Sequence, residues 1–290
     1  EQISIHFMEH LNTEFNGSLT LAIEIFKGEY HRPFLCELIS SQFDMDRADY
    51  LKRDSFYTGV AEGNINSERL ITMLNVRDEH IVVEEKGVYS LEKFLLARQF
   101  MYWQVYLHKT GIVAEQLLTR VLKRAKELSL NSTALQASEP LRFFLTTEIS
   151  PENLNLDVLR TFARLDDTDI LAAMKSWQTH KDFVLSHLCS MIINRNLLKI
   201  KLKNKPIKKE LLNRHMGNLM VRHSITEEEA QYFVFTDYIS SQAYRAEGQQ
   251  IQILQKNGKV VDISKASSQF NIESLSKPIT KYYVCYPKPS

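Results

Sequence analysis

Asp44-Met45-Asp46-Arg47-Ala48-Asp49-Tyr50-Leu51-Lys52-Arg53-Asp54-Ser55-Phe56-Tyr57-Thr58-Gly59 packs four aspartates, two arginines, a lysine and two tyrosines among very few large aliphatics. On a helix turning about 100° per residue, Asp46, Asp49, Tyr50, Arg53 and Asp54 fall within an arc of roughly 140°. A face of this kind can hold a cation and a polyanionic ligand together. It can equally be a solvated, ion-paired helix surface, which is what most charge runs are.

Two further stretches bear on that choice. Tyr89-Ser90-Leu91-Glu92-Lys93-Phe94 leads to Arg98, Tyr102 and Tyr106-Leu107-His108-Lys109. On one helix, Arg98, Tyr102, Tyr106 and Lys109 lie within about 80° and would line a single wall. Aromatic packing along a long helix is the plainer reading of the two tyrosines. Further on stands Arg195-Asn196-Leu197-Leu198-Lys199.

Asp46-Arg47-x-Asp49-Tyr50-x-x-Arg53-Asp54 with Thr58-Gly59 after it resembles the last conserved motif of HD-superfamily phosphohydrolases, in the branch of the deoxynucleoside triphosphate triphosphohydrolases (dGTPase-like and SAM-and-HD-domain-protein-like). The Arg98 to Lys109 spacing is similar to that family's substrate-binding helix, and the Arg195 stretch is a weaker match. Together they cover roughly residues 1–200.

The resemblance implies a site. HD phosphohydrolases bind a divalent metal through two histidines and two aspartates, and Asp46 corresponds to the final aspartate ligand. Its plainer alternative is an ion pair to Arg47 or Arg53. The remaining ligands are expected N-terminal to this chain: none of its nine histidines has aspartate next to it on the C-terminal side, and Glu1 to His6 resembles the family's segment just after the His-Asp motif. Oxygen and imidazole donors suit a metal that activates water and screens phosphate charge, and leave Mn, Mg, Fe, Ni and Zn open. Arg47 and Arg98 are the expected phosphate contacts, because guanidinium groups bind phosphate oxygens in pairs and stay charged. Tyr50 becomes a phosphate or sugar contact, Asp54 an acceptor for the 3′-hydroxyl, and Tyr106 a group that packs on the sugar and crowds a 2′-hydroxyl. The expected catalytic residues are thus Asp46, Arg47 and Arg98. Arg47, Tyr50, Asp54, Arg98, Tyr102, Tyr106 and Lys109 are the expected substrate contacts. Tyr102 and Leu107 stand where family members carry a histidine and a glutamine.

Composition sets outer limits. The 290 residues suffice for one large domain, or a domain plus a smaller one, and an apolar fraction of 44% supports a sizeable core. With 36 basic and 35 acidic residues there is no global field for DNA or an anionic membrane. Phe100-Met101-Tyr102-Trp103 could stack on single-stranded bases, but no basic groove accompanies it, so nucleic acid is not an expected partner. Cys36, Cys189 and Cys285 are too few and too scattered for a disulfide framework or zinc cluster, which fits a reducing cytoplasm. No apolar run reaches the roughly 18 residues of a membrane span.

The predicted fold class is mainly α: an HD-domain-like helical core over residues 1–200 and a small α+β C-terminal subdomain over 201–290, serving oligomerisation or regulation. Ser18 to Phe26 reads as a buried helix, Pro33 opens the next, and Asn66 or Ser67 caps another. A long helix is predicted from about Ser90 to Leu128, bent at Gly111. Asn257-Gly258 between two alternating runs predicts a hairpin over 250–263, and Tyr282 to Tyr286 a last strand. Lysines alternate from Lys199 to Lys205, so one face of a short strand would be cationic, either a solvated linker or a nucleotide or subunit contact.

These readings lead to a metal-dependent dNTP triphosphohydrolase, releasing deoxynucleoside and tripolyphosphate, assembled as a homodimer or homotetramer with a nucleotide allosteric effector. Two alternatives stand beside it: a catalytically inactive nucleotide-binding regulator on the HD scaffold, and an HD phosphohydrolase of another phosphate ester.

Overall fold

The computed structural model describes residues 1–245, 247–267 and 271–288. The architecture is mainly helical with two small sheets, as the sequence predicts. Its division is not the predicted one near residue 200. One compact unit joins Glu1–His108 to Ser240–Thr280; the other joins Lys109–Ile239 to the C-terminal residues from Lys281. Each unit is therefore built from two separate pieces of chain.

The first unit is organised around the helices Met45–Thr58 and Val88–Met101. Asp44 caps the former, its carboxylate accepting from Arg47 N at 2.8 Å, and Gly59 ends it in the left-handed region at φ 71°. Ala48, Leu51 and Ser55 are its buried face. Leu91, Phe94, Leu95 and Met101 of the second helix are wholly buried. A Cβ at Gly63 would come within 2.4 Å of Met101 Sδ, so a larger residue there would have to displace the buried Met101 side chain. Tyr244, Ile251, Ile253, Ile263, Ile272 and Leu275 enter the same core from the C-terminal piece.

Pro33 does open the helix Pro33–Ile39, and Asn66 rather than Ser67 caps Ser67–Thr72. The predicted helix near Ser18 forms as Thr20–Lys27, but only Ile23 of it is buried. The four-stranded sheet runs Leu74–Arg77, His80–Glu84, Gln252–Leu254, Val260–Asp262 in spatial order. Its outer pairs are antiparallel and its central pair parallel. The predicted hairpin is its last pair, with Gly258 at φ 80° in the turn.

The predicted long helix is broken. Val88–Met101 ends in a π-helical turn, Tyr102–Tyr106, closed by Leu107 N donating to Tyr102 O at 2.7 Å, and a new helix begins at Lys109. The α-helical bonding is thus interrupted before Gly111, at a change of hydrogen-bonding period.

The second unit packs the helix Lys109–Leu130 against Phe183–Ile193 and Glu139–Thr146. Asp182 caps Phe183–Ile193 by accepting from Leu185 N and also binds Arg124 at 2.6 Å. A three-stranded sheet places Ile279–Tyr286 between Lys199–Lys203 and Phe235–Ser241. Lys199, Lys201 and Lys203 are exposed while Ile200 and Leu202 turn inward, which is the predicted alternation. Lysines on this edge strand discourage pairing with a further strand. Among the described residues, no helix is long and apolar enough to cross a membrane.

Candidate active site

Six of the expected site residues converge in the first unit. Tyr50 and Asp54 sit one turn apart on Met45–Thr58 and meet the π-helical turn. Tyr106 Oη donates to Asp54 Oδ2 at 2.7 Å. The Tyr106 ring is edge-on to Tyr50 at 5.9 Å and to Tyr102 at 5.3 Å, and Arg98 lies 5.7 Å over the Tyr102 ring. The turn is tied by the i→i+5 bond from Leu107 N to Tyr102 O, and Tyr102 and Tyr106 lie side by side on it.

Electrostatics of the cluster favour a donor role for the phenols. Burial, and then the Asp54 carboxylate it serves, push the Tyr106 phenol far above its ordinary range, so it stays protonated. Burial and Tyr102 raise the Tyr50 phenol, opposed by Arg98 and Arg47, the latter within hydrogen-bonding reach of it.

The two expected phosphate arginines share one cavity of about 290 Å³, with Ser41, Gln42 and Gly248 on its wall. Arg47 is fixed through its Nε, which donates to Ser41 O at 2.8 Å and lies 3.1 Å from Asp44 Oδ2. Arg98 Nη1 donates to Ala243 O at 3.2 Å, and its Nε is buried with no hydrogen-bond partner among the described residues. An anchored guanidinium with a buried, unsatisfied Nε, as in Arg98, suits an anionic ligand.

Other expectations fare differently. Asp46 is exposed in the first turn of Met45–Thr58; the ion pair on that helix face is Asp49 to Arg53, at 2.8 Å. Lys109 is exposed and opens the long helix of the second unit. Among the described residues, no three His, Cys, Asp or Glu side chains gather where a metal ion could be held. One exposed carboxylate does not make a divalent-metal site, so the residues of this chain do not by themselves fit the metal that the family pattern calls for.

The sequence reading also missed two residues. Arg245 lies on the wall of the arginine cavity. Gln42 holds its backbone: Arg245 N donates to Gln42 Oε1 at 2.6 Å, and Gln42 Nε2 donates to Arg245 O at 2.7 Å and Gln249 O at 2.5 Å. These partners are about 200 positions apart in the chain, a pairing that no local motif announces.

Comparison with known proteins bears on the family. Residues 65–148 match the HD associated region family. A phosphohydrolase of Bacteroides thetaiotaomicron, known from its crystal structure, is 47% identical and superposes with a TM-score of 0.93, over 98% of this chain and 71% of its own. The uncharacterized protein YwfO of Bacillus subtilis is 32% identical over 91% of this chain and 60% of its own length. A Dictyostelium discoideum protein named a deoxynucleoside triphosphate triphosphohydrolase SAMHD1 homolog is 28% identical over 113 residues, 37% of this chain and 22% of its own. The chain belongs to the HD-superfamily phosphohydrolases. It spans about 60% of the length of YwfO.

Proposed function

We propose that this phosphohydrolase acts on deoxynucleoside triphosphates, releasing a deoxynucleoside and inorganic tripolyphosphate. The observation that carries this reading is the contiguity of two chemistries. Arg47 and Arg98 face one cavity, and the Tyr50, Asp54, Tyr102 and Tyr106 cluster adjoins them through Arg98 over Tyr102. Guanidinium groups receive phosphate oxygens. A carboxylate beside an aromatic wall receives a sugar: Asp54 accepts the 3′-hydroxyl, and Tyr106 leaves no room for a 2′-hydroxyl. The name of the Dictyostelium relative supports the same substrate class.

The part played by this chain is binding, orientation and charge neutralisation. Arg47 and Arg98 hold the phosphates and offset the charge that builds up as the bond to the leaving oxygen lengthens. Asp46, exposed in the first turn of Met45–Thr58, would be this chain's contribution to a divalent metal, which would activate the attacking water. Assembly as a homodimer or homotetramer, with a nucleotide effector, belongs to the same proposal.

The test is to incubate the protein with each dNTP and with GTP in Mn²⁺ or Mg²⁺, with and without dGTP as activator. Chromatography separates and quantifies nucleoside and tripolyphosphate. Formation of both products, abolished by Asp46→Ala, is the expected result. Nucleotide bound but never turned over would replace it with the regulatory reading.

A further inference from the structure

The cavity shared by Arg47 and Arg98 has a third arginine, the exposed Arg245, among its lining residues, with one acidic residue, Glu247. Gathering three like charges is unfavourable without an anion to receive. The fold nevertheless holds the Arg245 segment firmly. Tyr244 beside it is wholly buried, with its hydroxyl bonded to Asp262, and Gln42 grips the Arg245 backbone on both its N–H and its carbonyl. Arg98 reaches the same segment through Ala243 O. The three arginines are therefore positioned by backbone and amide contacts, and among the described residues the ion pair that involves one of them is Arg47 to Asp44, at 3.1 Å.

Size narrows the ligand. At about 290 Å³ the cavity sits at the lower end of small-molecule sites, about 300–1,000 Å³. It suits a phosphate chain better than an entire nucleotide. Two guanidinium groups can satisfy one phosphate; a third extends the site to further phosphates of the same chain.

We infer that Arg245 is a third phosphate-binding residue and that this cavity receives a linear polyphosphate, the triphosphate tail of a nucleotide or free tripolyphosphate. The inference rests on the reading that Arg47 and Arg98 bind the phosphates of a dNTP. It assigns a recognition role to the C-terminal piece of the first unit and makes tripolyphosphate, the proposed product, a competitor of the substrate.

Calorimetric titration of the chain with inorganic tripolyphosphate and with orthophosphate tests it. Tripolyphosphate should bind the unsubstituted chain more tightly than orthophosphate. Arg245→Gln should weaken tripolyphosphate about tenfold or more while changing orthophosphate less than about twofold, and Arg245→Lys should recover part of the loss. Because Arg245 is exposed, both variants should keep the thermal midpoint of the parent. Equal tripolyphosphate affinity in parent and Arg245→Gln overturns the inference, and so does failure of the parent to bind tripolyphosphate. If Arg245→Gln is silent while Arg47→Gln and Arg98→Gln abolish dNTP binding, the inference falls and the substrate reading stands. If tripolyphosphate binding depends on Arg245 but no deoxynucleotide binds, the substrate reading falls and the polyphosphate site stands.

Discussion

Tyr106 joins the two halves of the site. Its hydroxyl holds Asp54 and its ring closes a wall with Tyr50 and Tyr102. Substitutions separate these roles. Tyr106→Phe keeps the ring but leaves a half-buried carboxylate without its donor; hydrogen bonds to charged groups are worth about 1.5–3 kcal/mol. The KM for dGTP should rise several-fold in that variant, with little change in its preference over GTP. Tyr106→Ala removes the wall, and kcat/KM for GTP relative to dGTP should rise about tenfold, near 1.4 kcal/mol. Parallel steady-state kinetics on the two nucleotides decide it: an unchanged ratio in Tyr106→Ala removes the sugar-wall role. At this scale the sequence is informative, because Tyr50 with Asp54 and Arg98 with Tyr102 are one helical turn apart and periodicity places them together. Arg245 is not legible, because its partner Gln42 is distant in the chain.

Among the elements, the π-helical turn Tyr102–Tyr106 carries the site, and a sequence read at 3.6 residues per turn passes over it. It can be tested by its length. Gln104 is exposed within it, so Gln104→Ala should be silent, whereas deleting Gln104 should let the segment revert to α-helical bonding and swing Tyr106 away from Asp54. Loss of dGTP binding in the deletion alone, measured by calorimetry, is the expected pattern; binding retained in both would show that the turn is not needed. The same contrast explains the strands. Asn257-Gly258 announces its hairpin, but Leu74–Arg77 turns into His80–Glu84 through Asp78 and Glu79, at φ 51° and 64°. Two-residue hairpin turns demand such angles, yet glutamate does not advertise them. In the second unit, the helix Phe183–Ile193 places His187 against Phe183, His223 and Phe233. Burial, and then His223, hold the His187 imidazole below its ordinary 6.5. The unfolded chain therefore binds the proton first, and stability, complete above about pH 6.5, falls as pH drops toward the folded value. Denaturant titrations at pH 7.5 and 5.5 should show that loss, and His187→Leu should make it smaller. An identical pH dependence in the variant would mean that other groups, such as His215, set it.

For the whole molecule, the decisive fact is that each unit is made of two chain segments. A composition change near residue 200 suggests a detachable appendage, because local texture reports which elements form and not which core they join. The C-terminal piece in fact gives the first unit Tyr244, Ile251, Ile253, Ile263, Ile272 and Leu275. In the second unit, Tyr283, Val284 and Cys285 are buried in the central strand of the three-stranded sheet. Full burial of one large apolar side chain contributes about 1.5–3 kcal/mol. Removing six from one core thus costs on the order of 10 kcal/mol, as much as a domain's entire net stability of about 5–15 kcal/mol. A chain ending at residue 200 should therefore fail to fold as an HD core. It should show a broad, non-cooperative thermal transition, bind the dye that reports exposed apolar surface, and have no measurable affinity for dGTP. Were the truncated chain to melt cooperatively and still bind dGTP, residues 201–290 would be an appendage after all. Arg245 would then be dispensable to the phosphate cavity, so the truncation also bears on how far the site extends into the C-terminal piece.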